Sequence, residues 1–305
     1  MTSLPTRLAT KAMAAPPTKG DDGYGSKAVV PWKYCNPYAN YRWSPERPFQ
    51  ILGHTVVLAQ RLDETIELHQ NTGNVVWDGA YIMSRYIASH LSPFLPGTRC
   101  IELGSGSGLV GIAAWLAGAK VVVTELPGKQ LEHLKMNVER NLARILKPFA
   151  DGEGNSDSEP ASSVPNALTQ ENITIYPLDW NDPPTVLQRL VSPPYDLVLG
   201  SEILYLPQLH KNLVRTLDAL CHLPGSGRIT TVLMVYKQRG LGEERFFEWT
   251  TRLGGGFEVE WFYWERGEYG EESVLDCGAV PRNEDHHQLI VLVDMRLGTA
   301  RKPRS

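Results

Sequence analysis

The chain has 305 residues, 42% hydrophobic and 21% charged, and its 30 Lys+Arg against 34 Asp+Glu give a formal net charge of −4. These values exclude a fibre or a wholly disordered chain and provide no general positive field to gather phosphate backbones, so nucleic acid is an unfavoured partner. The scattered Cys35, Cys100, Cys221 and Cys277 form no CxxC pair or zinc spacing, and no apolar run reaches the roughly 18 to 20 residues of a membrane helix; no metal and no membrane are expected, and a reducing cytoplasm is the expected setting.

In chain order, residues 1–28 are rich in Ala, Pro, Thr and Gly with no sustained period and predict a disordered tail. Arg7, Lys11 and Lys19, with no acid among the first 20 residues, keep a mitochondrial transit peptide as an alternative to a cytoplasmic or nuclear location. An N-terminal extension covers 29–75, where QILGHTVVLAQRL and then ETIELHQ alternate apolar and polar residues and predict the two strands of a β-hairpin. VWDGAYIMSRYIASHLSPF then sets Tyr81, Ile82, Tyr86, Ile87 and Leu91 at helical spacing.

Beyond that point strands and helices alternate: TRCIELG, LVGIAAWLAGA, KVVVTEL, KQLEHLKMNVERNLARI, NITIYPLDW, YDLVLGSEIL, LPQLHKNLVRTLDALC, ITTVLMVYK, EERFFEWTTRL. FEVEWFYWER and QLIVLVDMRL follow with no helix between them. The expected fold is α/β: a Rossmann-like, seven-stranded sheet, mostly parallel, with helices on both faces and an antiparallel C-terminal hairpin. One domain would span 76–298, interrupted by an acidic, Ser-rich surface insertion at 151–167, with a short tail at 299–305. A monomer is expected.

The first strand of the alternating region runs into CIELGSGSGLVG, the strand–turn–helix whose outward amides usually seat a nucleotide. Glycine spacing does not decide which nucleotide, since Gly104, Gly106 and Gly108 give GxGxG while Gly106, Gly108 and Gly111 give GxGxxG. Glu102, at the end of the strand, is read as facing the guest, where it would repel a pyrophosphate and welcome a cation such as S-adenosylmethionine. The alternative for Glu102 is a cap on the turn amides. Ser105 belongs to the same loop. Glu125 closes the next strand, suited to the ribose hydroxyls of either nucleotide, with Leu126 beside it. Asp179 and Trp180 end the third strand, where an acid and an indole suit the amino group and face of adenine. Trp77 precedes the first strand on a segment placed to fold over the methionine end.

TGNVVWDGAYIMSRYI, CIELGSGSGLVGIAAWLAGAKVVVTELP, LDW and YDLVLGSEILYLP, in that order, resemble the family 16 seven-strand methyltransferases, chiefly protein lysine methyltransferases acting on non-histone targets. The resemblance covers about residues 60 to 240. It implies S-adenosylmethionine as methyl donor, with S-adenosylhomocysteine as product, and a lysine of a folded cytosolic protein as acceptor, translation elongation factors and chaperones being such targets. Two departures stand out: Glu125 replaces the usual aspartate of a TDLP-like motif, and Glu202-Ile203-Leu204-Tyr205 is ExxY where DxxY is common. On this resemblance Glu202 and Tyr205, one helical turn apart in the loop-helix after the fourth strand, meet the incoming amine, and Ser201 touches the methionine portion. Lys237 and Arg239, which follow the fifth strand at the ligand edge of the sheet, either contact an acidic target or are solvated. A histidine or small-molecule N-methyltransferase, an NAD-dependent oxidoreductase and a non-catalytic binding module remain as alternatives.

Overall fold

The computed structural model describes residues 44–61, 72–147, 168–223, 226–237, 239–240, 242–252, 257–266, 272–276 and 290–297. The expected tails at 1–28 and 299–305, the insertion at 151–167 and the strand ETIELHQ lie outside the described residues, as do Cys35 and Cys277.

An N-terminal hairpin does form, but from other residues than expected. Its strands are β1 (Glu46–Ile51) and β2 (His54–Ala59), paired antiparallel so that Ile51 faces His54. The turn falls inside the stretch read as one strand: Leu52 and Gly53 both take positive φ, 47° and 78°, the conformation of a two-residue type I′ turn. Phe49 and Ile51 of β1 and Val56 and Leu58 of β2 are buried and join the main core.

The main sheet contains β3 (Arg99–Leu103), β4 (Lys120–Glu125), β5 (Ile173–Pro177), β6 (Leu197–Ser201), β7 (Thr231–Lys237), β8 (Phe257–Arg266), β9 (Glu272–Asp276) and β10 (Ile290–Leu297). Their order is β5-β4-β3-β6-β7-β10-β8-β9, with the first five parallel. β10 inserts antiparallel between β7 and β8, and β9 adds antiparallel outside β8. The described sheet therefore has eight strands rather than seven. The additional one is ESVLD, a five-residue edge strand too short to show a period.

The helices are α1 (Asp78–Tyr86), α2 (Leu109–Leu116), α3 (Lys129–Ile145), α4 (Pro184–Val191), α5 (His210–Leu220) and α6 (Arg245–Arg252). Strand parity divides the core. Cys100, Val121 and Val123 pack with α1, α2, α3 and the hairpin, whereas Ile101, Leu103, Val198 and Val232 pack with α4, α5 and α6. Central strands buried on both faces must be apolar throughout, which accounts for LVLG in β6. Chain order reverses between β3 and β6, opening a crevice beyond their carboxyl ends.

Candidate active site

At that crevice lies a cleft of about 300 Å³. Eleven of the thirteen residues given a cofactor-binding or catalytic role from the sequence line it: Trp77, Gly104, Ser105, Gly106, Glu125, Leu126, Asp179, Trp180, Ser201, Glu202 and Tyr205. The other two, Glu102 and Gly108, are placed beneath it.

The donor side of the cleft is main chain braced by carboxylates. Gly104 and Gly106 take φ of 61° and 51°; a Cβ on Gly104 would meet Ile203 at 3.0 Å, and one on Gly106 would meet the Gly73 carbonyl at 3.3 Å. These two positions need glycine for both conformation and space. Ser105 ties the loop to β4: its N–H donates to the Thr124 carbonyl (2.8 Å), and its hydroxyl accepts from the Thr124 N–H (3.1 Å). Glu125, at the end of β4, accepts from the Gly106 N–H (2.8 Å) and the Leu126 N–H (2.9 Å). Burial raises the Glu125 pKa and those two N–H donors pull it back.

Glu102 does not face the cleft. It is 0% exposed, and Oε2 accepts the Gly111 N–H at 2.9 Å, in the first turn of α2. Its other oxygen, Oε1, is buried with no hydrogen-bond partner among the described residues, and burial pushes its pKa up to about 8. The reason is pleat parity: Glu102 shares a face with Cys100, the face α2 covers, so the alternation of the strand already contained the answer. Gly108 is likewise structural. It precedes α2 with φ 92°, and a Cβ there would strike Leu134 of α3 at 2.9 Å.

Beyond β5, both the main-chain N–H and the side-chain Nδ2 of Asn181 donate to Asp179 Oδ1 (2.8 Å each), and Nδ2 of Asn212 on α5 donates to Asn181 Oδ1 (2.7 Å). Trp180 lies over Gly104, 3.4 Å from where a Cβ would sit.

The acceptor side is a cross-brace of side chains. Residues 202–206 form a loop rather than the helical turn expected between Glu202 and Tyr205, and α5 begins only at His210 after a 3-10 turn. Glu202 holds φ 57° and is 8% exposed. Its Oε1 accepts the Gly79 N–H (3.2 Å); its Oε2 accepts the Lys237 N–H (3.3 Å) and the Arg239 guanidinium (2.8 Å). Arg239 also lies 5.9 Å from the centre of the Trp77 ring, a cation–π distance, and Lys237 pairs with Asp78 at 3.7 Å. Gly79 is indispensable here, because a Cβ would come within 2.7 Å of the Glu202 side chain. Arg239, weighed as solvated or substrate-facing, is thus committed to Glu202 inside the lining. Sequence reading passed over Gly73, Val75, Gln130 and Asn181. The step to Asn181, directly after LDW, was the one within reach.

Among the described lining residues three are acids, Glu125, Asp179 and Glu202, and the single base, Arg239, is spent on Glu202. This donor set fits a nucleoside that carries a cation. A pyrophosphate would meet carboxylates with no free guanidinium or ammonium to offset them. No group of residues suited to a metal ion occurs among the described residues, and no described helix is long and apolar enough to cross a membrane.

A family model described as lysine methyltransferase matches residues 59–148 and 161–252, more than half of the chain. Protein N-lysine methyltransferase METTL21A of Mus musculus is 32% identical over 177 residues, 58% of this chain and 66% of that protein. EEF1A lysine methyltransferase 3 of Mus musculus is 29% identical over 206 residues, 67% of this chain and 72% of that protein. Protein N-terminal and lysine N-methyltransferase EFM7 of Yarrowia lipolytica is 26% identical over 191 residues, 62% and 66% of the two chains. The chain thus spans about two thirds of the length of these curated relatives.

Proposed function

Because the chain belongs to the lysine methyltransferase family, we propose that it transfers a methyl group from S-adenosylmethionine to a lysine of a folded, non-histone protein in the cytosol. The observation that carries this reading is the acidic lining whose one described base is already paired. Bound S-adenosylmethionine supplies an electrophilic methyl group on a sulfonium with a good leaving group. The protein's task is then to hold, align and dehydrate.

In this reading Glu125 takes the ribose hydroxyls, Asp179 and Trp180 the adenine, and the Gly104–Gly106 turn the methionine end beside Ser201. Glu102 and Gly108 act at one remove by shaping the turn. A lysine with a pKa near 10.4 is neutral only about once in 2,500 molecules at pH 7, so the acceptor side must favour the uncharged amine. An ammonium entering there meets Glu202 only by sharing it with Arg239, and the sulfonium is a second like charge; both push the amine to lose its proton to water before attack. Tyr205 lines the channel and directs its hydroxyl at the amine. The name of one relative, EEF1A lysine methyltransferase 3, supports an elongation factor as the target class.

The test is a thermal-shift series with S-adenosylmethionine, S-adenosylhomocysteine and NAD in parallel, followed by incubation with labelled donor in an extract lacking the protein. Stabilisation by the first two and a labelled protein band are expected. Stabilisation by NAD alone would sink the proposal.

A further inference from the structure

We propose that the β1–β2 hairpin is a positioning device for the methyl-donor pocket, with Arg47 and Gln60 setting the place of Trp77 by gripping both main-chain polar atoms of Val76. This rests on the donor reading above and extends it to a part of the chain that lies almost wholly ahead of residue 59, where the family match begins.

Trp77 is the residue before α1, with extended φ −83° and ψ 160°. The helix restrains it on its far side, where its carbonyl accepts the Tyr81 N–H at 3.2 Å. On the near side the restraint comes from the hairpin. The Gln60 side chain accepts the Val76 N–H at 2.9 Å, and the Arg47 guanidinium donates to the Val76 carbonyl at 2.8 Å. That carbonyl shares one rigid peptide plane with the Trp77 N–H, so holding it fixes the plane from which the Trp77 Cα departs. The Arg61 N–H adds a bond to the Asn74 carbonyl at 3.1 Å. Arg47 and Gln60 are 2% and 5% exposed, so these bonds are made in a site closed to water, where losing one costs more than it would at the surface. The segment they hold runs across the glycine turn, with Gly73 against Gly106 and Val75 and Trp77 in the pocket lining.

The hairpin is itself rooted. Asn137 and Asn141, one turn apart on α3, each use a side-chain amide as a strand would. Asn141 accepts the Val57 N–H (2.9 Å) and donates to the Val57 carbonyl (2.9 Å), and Asn137 does the same at Ala59 (2.8 and 3.2 Å). The same helix backs the glycine turn through Leu134 and Val138 beneath Gly108. α3 is therefore the common base from which turn and hairpin hold the two sides of the donor pocket.

A double-mutant cycle on the full chain tests this, reading S-adenosylhomocysteine affinity by calorimetry on protein shown to be folded. Arg47→Met is expected to weaken binding about tenfold, and Arg47→Lys, which can still donate to the Val76 carbonyl, by no more than about threefold. Once Trp77→Ala has removed the residue being positioned, Arg47→Met should add less than about a twofold loss. Should Arg47→Met fail to fold, Gln60→Met takes its place with the same expected pattern. Equal losses in the two backgrounds, or unchanged affinity in Arg47→Met, would overturn the inference while leaving the donor reading intact. Wild-type protein that takes no S-adenosylhomocysteine would overturn both.

Discussion

The two walls of the cleft solve one problem by opposite means. The donor wall is backbone: a turn of glycines stitched to β4 by Ser105 and Thr124, with Glu125 holding the Gly106 amide from the side and Glu102 holding the first turn of α2 from below. The acceptor wall is side chain: Glu202 draws together the start of α1, the end of β7 and Arg239. All three glutamates lie at or just past the carboxyl end of a parallel strand, yet one is sealed under the turn while the other two line the pocket, and of these Glu202 also ties three segments. Position along a strand therefore does not give a carboxylate its task; what covers that face of the sheet does.

The largest effect is expected at Gly111, beneath the donor wall. A Cβ there would lie 2.2 Å from Val123 and 2.9 Å from the Glu102 carboxylate, so Gly111→Ala should cost about 3 kcal/mol in denaturant unfolding. An alanine that is tolerated would mean that the donor wall is not packed as described. Next is Glu202→Ala, which strands the Gly79 and Lys237 N–H groups and Arg239. A loss of about 2 kcal/mol is expected, together with a fall in methylation rate but only a slight change in S-adenosylhomocysteine affinity. An equal fall in donor affinity would erase the division between the walls.

Glu102→Gln separates the walls by pH. The Glu102 pKa of about 8 in the folded protein stands above its ordinary 4.5, so the folded state holds the proton more tightly. The stability this proton confers is complete below pH 4.5 and is lost as pH rises to about 8. Glutamine keeps the shape without the charge. Relative to wild type, the variant should gain stability steadily as pH rises between those limits, seen in urea midpoints across pH. A pH-independent difference would place Glu102 in a wetter site than described. The smallest effect is expected away from both walls. The Arg140–Glu46 pair, at 2.6 Å, joins side chains about half exposed, and Arg140→Ala should leave the unfolding midpoint unchanged.

How far the sequence was legible follows from the range of each signal. The alternation from TRCIELG to EERFFEW registers burial on two sheet faces, a repeating constraint, and all five parallel strands and the helices α2, α3, α5 and α6 stand where it puts them, whereas α4, between β5 and β6, is an element that this reading passes over. The hairpin turn escaped because Leu52-Gly53 lacks the Asn-Gly or Asp-Gly signature that usually marks two positive φ angles. At the site, Glu125, Asp179 and Trp180 were legible because strand ends converge on one crevice, and Tyr205 through the resemblance that ExxY carries; all four line the cleft. The case for a cationic guest was rested on Glu102, and the structure moves it to the charge of the lining as a whole. Arg47, Gln60, Asn137 and Asn141 left no trace, since each acts through contacts with residues 16 to 84 positions away.

The amides of Asn137 and Asn141 have one more consequence. The backbone groups of Val57 and Ala59 that they occupy lie along the outer border of β2, where a two-stranded ribbon is open to recruiting a strand from another molecule. Polar side chains fill those rungs with bonds that cannot propagate. Replacing both asparagines with leucine would loosen the ribbon's anchorage and also turn a closed border into a template for self-association.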